Sequence, residues 1–473
     1  MLFSSLVFLY GFLPAFLLLY YVGPKAWRNT TALIGSLLFY AWGEPAFAIL
    51  LLASGTADYA LSLAMAKLPP GATKRRRSLL TLALAYNLGA LAYCKYSNFF
   101  VEQFNALLGW LGTGAIPWTK VLLPIGISFF TFQKITYLVD VFRGKAQPTR
   151  SLRDYLLYIS LFPHLVAGPI IRFHDLADQI TGREHTLDRF LSGLWRFALG
   201  LGRKVLLANP IGQVADQIFA VDPGKLDTPH AWLGIFCYTL QIYCDFAAYS
   251  DMAVGLARLF GFEFCENFKH PYSSRSITEF WRRWHCSLST FMRDYLYIPL
   301  GGNRVGPVRH VLNNWFVFLV SGFWHGASWT FVAWGAYHGF FISLEKVIGH
   351  ERIRRIPALL AWPVTFTLAM LGWVFFRADT IAQAGHYIAR LFVSISVQPL
   401  AIDVSTRAWA AIAIAAVTAF MPESWWDRLG WTSALPATRV QVAGRILVGT
   451  ALFLLACAAL ANQSYNPFIY FRF

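Results

Sequence analysis

The stretch Leu312-Asn-Asn-Trp-Phe-Val-Phe-Leu-Val-Ser321-Gly-Phe-Trp324-His325-Gly-Ala-Ser328-Trp329 decides the fold class. Apart from one imidazole it is compatible with lipid, and a second apolar run, residues 331–348, follows it directly. A helix of about 20 apolar residues spans the hydrocarbon of a bilayer. Working outward, further apolar runs cover residues 2–22, 29–42, 46–66, 78–97, 120–141, 154–171, 190–208, 229–262, 357–376, 407–421 and 441–461. Several are short or interrupted by Pro and Gly, so the pattern predicts an all-α, polytopic protein with about ten to twelve transmembrane helices.

Composition agrees. Hydrophobic residues make up 57% of the 473, charged residues only 14% and aromatics 17%, and the mean hydropathy is +0.48. That balance excludes a cytosolic enzyme, a disordered chain and a disulfide framework. The net charge of +16 comes from 40 Lys and Arg against 24 Asp and Glu. The positives fall in the gaps between apolar runs, where membrane topology places them, so the charge indicates no nucleic-acid partner. Lys25 and Arg28 follow the first apolar run, the reverse of a signal peptide, which predicts a retained helix with an outside, periplasmic N-terminus. The clusters Lys74 to Arg77, Arg143 to Arg153 and Lys346 to Arg355 are then cytoplasmic. No fixed-period repeat divides the chain, which is expected to form one integral-membrane domain over residues 1–473, with a cytoplasmic interfacial segment at about 266–310.

That interfacial segment includes Ser276-Ile-Thr-Glu-Phe-Trp281-Arg282-Arg283-Trp284-His285-Cys-Ser-Leu-Ser-Thr-Phe-Met-Arg293. At spacings of three and four, Trp281, Trp284, His285 and Leu288 predict one aromatic helical face that carries the imidazole, with Arg282, Arg283 and Arg293 opposite. Two readings fit: an amphipathic helix with Trp at headgroup depth and Arg on lipid phosphates, or a vestibule whose cations hold a phosphorylated donor. An ionisable group inside a membrane run is costly, which marks His325 as a functional candidate against the alternative of a buried His bonded to a facing helix. Continued as a helix, the run places Ser321 one turn before His325 and Ser328 one turn after it. His338 poses the same choice. Asp245 and Asp251, six residues apart, point about 120° apart on a helix and so are no carboxylate pair; a structural role bonding to helix ends is expected. Prolines around His164, in Phe162-Pro-His-Leu-Val-Ala-Gly-Pro169, predict a broken, re-entrant element lining a cavity. Signatures of nucleotide motors, Rossmann enzymes, zincins and α/β-hydrolases are missing, and His spacing implies no metal.

Taken together, Leu123-Pro-Ile-Gly-Ile-Ser-Phe-Phe-Thr-Phe-Gln133, Phe162 to Pro169, Asp245-Phe-Ala-Ala-Tyr-Ser-Asp251, the run from Trp281 to Arg304 and Phe323-Trp-His-Gly326 resemble, in order, the landmarks of the membrane-bound O-acyltransferases, in the bacterial branch of alginate and cellulose O-acetylation. The likeness is densest over residues 120–345 and continues to the closing region Ser464 to Phe473. It implies helices around a central funnel. By that resemblance His325 matches the family's catalytic histidine and general base, and His285 its second, cytoplasm-side histidine; Cys286 stands where alginate-type relatives usually read Ile. Trp281, Arg282, Arg283, Trp284, Arg293, Trp324, Ser321, Ser328, His164 and Asp245 become candidates for donor binding or the tunnel. The resemblance further implies no bound cofactor, a thioester donor such as acetyl-CoA, membrane lipid around the protein, periplasmic acetyltransferase partners and placement in the bacterial inner membrane. The alternatives are a transporter or flippase without chemistry of its own, or an enzyme of this class acting on a lipid or protein.

Overall fold

In the computed structural model, which describes residues 1–69, 71–393, 400, 402–421, 425, 438–462 and 465–469, the apolar runs become helices, and no strand occurs among those residues. The chain forms two compact units: Met1–Thr186 with Phe260–Phe264, and Leu187–Leu259 with Cys265–Phe473.

The first unit contains α1 (Leu13–Val22), α2 (Arg28–Ala41), α3 (Pro45–Lys67), α4 (Thr73–Trp110), α5 (Ile127–Arg143), α6 (Leu152–Ser160), α7 (Phe162–Leu165) and α8 (Phe173–Gly182). The opening run is not one regular helix: Val7–Phe12 is wound as a π-helix just before Pro14 enters the first turn of α1. Proline has no N–H to give the ladder, which accounts for a change of winding there. The core of this unit joins α3, α4 and α5 through charge: Asp58 pairs with Lys134 at 3.1 Å, both fully buried, and accepts hydrogen bonds from Asn87 (2.8 Å) and from Tyr86. The break expected near His164 is present, with α6 ending at Ser160 and residues 166–172 non-helical. Protein groups satisfy this buried backbone: Tyr158 Oη donates to Ile171 O at 2.8 Å and Gln133 Nε2 to His164 O at 3.4 Å.

The second unit contains α9 (Leu187–Gly202), α10 (Asn209–Phe219), α11 (Thr228–Leu259), α12 (Ile277–Arg283), α13 (Cys286–Phe291), α14 (Pro307–His325), α15 (Trp329–Ile348), α16 (His350–Arg354), α17 (Ala358–Arg377), α18 (Ile381–Phe392), α19 (Thr406–Phe420) and α20 (Arg439–Asn462). Helix α11 is its buried axis, packed along α9 and α10. A π-turn at Arg203–Ala208 links those two helices. By length and apolarity alone, α3, α17 and α20 suffice to cross a membrane. Others of the predicted set are shorter or carry charge that protein satisfies. In the 32-residue α11, Asp251 meets Arg196 at 2.7 Å and Arg203 at 2.8 Å, and Asp245 meets Lys204 at 2.8 Å.

Helices α14 and α15 form an antiparallel pair whose crossing is set by two glycines. A Cβ on Gly322 would run into the carbonyl oxygen of Phe331, and one on Gly335 into that of Phe318. The backbones touch there, which fixes the end of α14 and with it His325. Gly335→Ala is therefore expected to cost about 1–3 kcal/mol by forcing the pair apart, measured as a lowered midpoint of thermal unfolding in detergent; an unchanged midpoint would mean that this close approach is not required.

Candidate active site

The two histidines singled out by sequence both lie in the second unit, each at a place where regular helix stops. His325 is the last residue of α14; Gly326 is extended, and Ser328 caps α15 by accepting the N–H of Thr330 at 3.3 Å. The expected continuous helix through Ser328 is thus corrected: Ser328 begins the next helix rather than standing one turn beyond His325, because the chain reverses at the Gly326–Ala327 turn. Ser321 is buried one turn before His325. The imidazole of His325 is 6% exposed and meets Trp334 edge-on at 5.0 Å and Phe376 at 5.3 Å. It borders a small cavity whose other walls are Ile242, Phe246, Trp284, Trp334, Trp373, Phe376 and Ile469.

The predicted single helical face from Trp281 to Leu288 is also corrected. Helix α12 ends at Arg283, Trp284 is extended, and His285 takes left-handed backbone angles, φ 46° and ψ 52°, before α13 starts at Cys286. Such a conformation costs a non-glycine residue of the order of 1–3 kcal/mol and is kept only where its surroundings impose it. Asn267 imposes it. Its carbonyl oxygen accepts Cys286 N–H at 2.9 Å, and its side-chain Oδ1 faces His285 Nδ1 at 3.0 Å, Ser287 Oγ at 2.9 Å and Ser287 N at 3.3 Å. Because Oδ1 can only accept, His285 carries its hydrogen on Nδ1 and its lone pair on Nε2. Burial disfavours the charged ring and lowers its pKa to about 3. His285 lies 4.7 Å edge-on to Phe246, a cavity wall, and 6.3 Å from Trp324, which is itself 4.9 Å from His325. Trp324 thus neighbours both imidazoles.

The remaining candidates separate. Trp284 lines the cavity, while Trp281 packs one layer away against Trp334 (5.4 Å) and His338 (5.0 Å). Arg282 is exposed at the end of α12, Arg283 is bound to Glu279 at 2.7 Å, and Arg293 to Asp294 at 2.7 Å. His164 belongs to the first unit, where its Nε2 donates to Tyr158 O at 2.9 Å and its ring stacks on Phe264. Asp245 pairs with Lys204 and accepts the backbone N–H of Ile469 at 2.8 Å, so it holds the chain's closing segment rather than a helix end. Sequence reading missed Asn267, Trp373, Phe376 and Ile469. Asn267 offers a signal, a lone amide among Phe, Cys and Glu; Ile469 offers only its place within the resemblance over Ser464 to Phe473.

The chain belongs to the membrane-bound O-acyltransferase family, whose description matches residues 142–364. It is accordingly an O-acyltransferase and uses an acyl donor. It is 41% identical over 488 residues to the probable alginate O-acetylase of Pseudomonas putida, covering 100% of both chains. It is 44% identical over 392 residues to that of Pseudomonas aeruginosa, covering 83% of this chain and 75% of the relative. Similarity to the peptidoglycan O-acetyltransferase of Helicobacter pylori is 35% over 424 residues, covering 81% and 78%. Both histidines lie inside the family region, whereas the walls Trp373, Phe376 and Ile469 lie beyond it.

Proposed function

We propose that this protein moves acetyl groups from a cytoplasmic thioester, with acetyl-CoA as the donor, across the bacterial inner membrane for O-acetylation of an exopolysaccharide of alginate or cellulose type. The observation that supports it most is the place of His325: a nearly buried imidazole at a helix end, facing a cavity whose other walls are apolar. Names of the relatives, alginate O-acetylase and peptidoglycan O-acetyltransferase, support acetyl as the group and a cell-surface glycan as its destination.

In this reading a hydroxyl oxygen attacks the thioester carbonyl. The C–O bond forms, the C–S bond breaks, and His325 takes the hydroxyl proton and returns it to the departing thiolate, so that the imidazole ends unchanged. Apolar walls keep water from competing for the acyl carbon. His285 orients the donor or assists the leaving sulfur through Nε2, the nitrogen opposite its bond to Asn267. Arg282, the exposed cation of α12, faces the donor's phosphates or those of lipid. Periplasmic acetyltransferase partners complete the transfer onto the polymer, and the N-terminus lies on their side of the membrane.

Cells lacking this protein are expected to make and export the polysaccharide at normal yield but without acetyl esters, as read by proton NMR of the purified polymer. Loss of the polymer itself would overturn the proposal in favour of a transporter.

A further inference from the structure

The cavity beside His325 is closed on one side by a residue that belongs to no helix bundle. Ile469, 4% exposed, is carried by the short segment Tyr465–Ile469, and side chains of the second unit hold that segment at successive points. Tyr465 Oη donates to Asp216 at 2.7 Å, Asn209 Nδ2 donates to Tyr465 O at 3.3 Å, Lys204 donates to Pro467 O, Phe468 stacks on Tyr249 at 4.5 Å, and Ile469 N–H donates to Asp245 at 2.8 Å. Asp245 lies on α11 immediately before Phe246 and three residues after Ile242, so one helix supplies both the anchor and two of the facing walls.

A sphere of water size fits in the cavity with about 10 Å³ open to its centre, room for one group the size of a water or a methyl. A water needs two to four polar partners, and although the walls include His325 and three tryptophans, the surface they turn to the cavity is almost wholly carbon. The space therefore suits a methyl better than a water. We propose that this cavity seats the tail of the donor's acyl group and that Ile469, presented by the anchored closing segment, is the wall that limits that tail to the single methyl of an acetyl. This deepens the proposed function and rests on it. Seven of the eight lining residues are His325, aromatics packed against other rings, or Ile242 in the middle of α11, where truncation disturbs the frame. Ile469 alone can be shortened with every helix left in place. Asp245 is then a positioning residue, acting through the N–H of Ile469.

The test supplies membranes containing the full-length protein and its polysaccharide machinery with isotope-labelled acetyl-CoA, propionyl-CoA and butyryl-CoA, and counts each ester on the polymer by mass spectrometry. Ile469→Ala is expected to raise the propionyl-to-acetyl ratio at least ~10-fold, the lower end of what one methylene contributes to selectivity. Ile469→Phe is expected to fill the cavity and lower acetyl transfer without lowering protein abundance. Asp245→Asn is expected to move the ratio in the same direction as Ile469→Ala, whereas a purely structural role would lower all transfers together. Should Ile469→Ala fail to accumulate, Ile469→Val, one methyl shorter, is expected to show a smaller shift of the same sign. An unchanged ratio in an accumulating variant overturns the inference and leaves the proposed function standing; a parent protein that transfers no acyl group from any thioester overturns the function itself.

Discussion

His325→Ala and His325→Gln are expected to leave the protein inserted and at parental abundance while acetyl esters on the polymer fall by about 10²–10⁴-fold, the range that a positioned general base contributes. Two variants are needed because they fail differently if the role is structural. Alanine leaves a void against Trp334 and Phe376, which touch the imidazole at 5.0 and 5.3 Å; glutamine nearly fills the space but has no basic nitrogen. A structural His325 would give an alanine variant of lowered abundance and a glutamine variant with near-normal acetylation. A basic His325 gives two stable proteins that are equally inactive. Acetyl content by NMR, set against protein abundance in isolated membranes, separates the cases, and acetylation within a few-fold of the parent in the glutamine variant would remove His325 from the mechanism.

That the fold is helical and membrane-bound was legible in apolar run length, because spanning a bilayer demands it. Where those runs stop was legible only in part. Gly326 follows His325 visibly, yet helical periodicity alone does not say that the helix turns there rather than running on to Ser328; the turn goes with the backbone contact that Gly322 and Gly335 allow between α14 and α15, a pairing that a helical repeat does not reveal. The break at His285 was hidden more deeply. No glycine or proline marks it, and the left-handed backbone is imposed by Asn267, eighteen residues earlier. Helical periodicity therefore predicted a continuous aromatic face over Trp281 to Leu288 where two short helices stand end to end. Asp245 shows the same limit. Its spacing from Asp251 excluded a carboxylate pair correctly, but its partners, Lys204 and Ile469, come from elements that no local pattern connects.

Breaking the Asp58–Lys134 pair is expected to have the largest effect on stability in the first unit. The two charges are 3.1 Å apart with side chains 0% and 2% exposed, and they tie α3 to α5. Asp58→Ala leaves the Lys134 ammonium buried without its counter-charge and removes the acceptor used by Tyr86 and Asn87, so about 3–5 kcal/mol is expected. Lys134→Met should cost less than Asp58→Ala, because the carboxylate keeps both of those donors. Replacing the pair together, Asp58→Ala with Lys134→Met, removes the stranded ammonium while Tyr86 and Asn87 still lack their acceptor, and is expected to recover part of the loss, giving a coupling energy of about 2 kcal/mol or more in a double-mutant cycle. Thermal unfolding of the four proteins in detergent measures it. If the double variant is as unstable as the sum of the two single ones, the pair acts through packing of its side chains rather than through its charges, and the electrostatic account of how α3, α4 and α5 are held together would have to be given up.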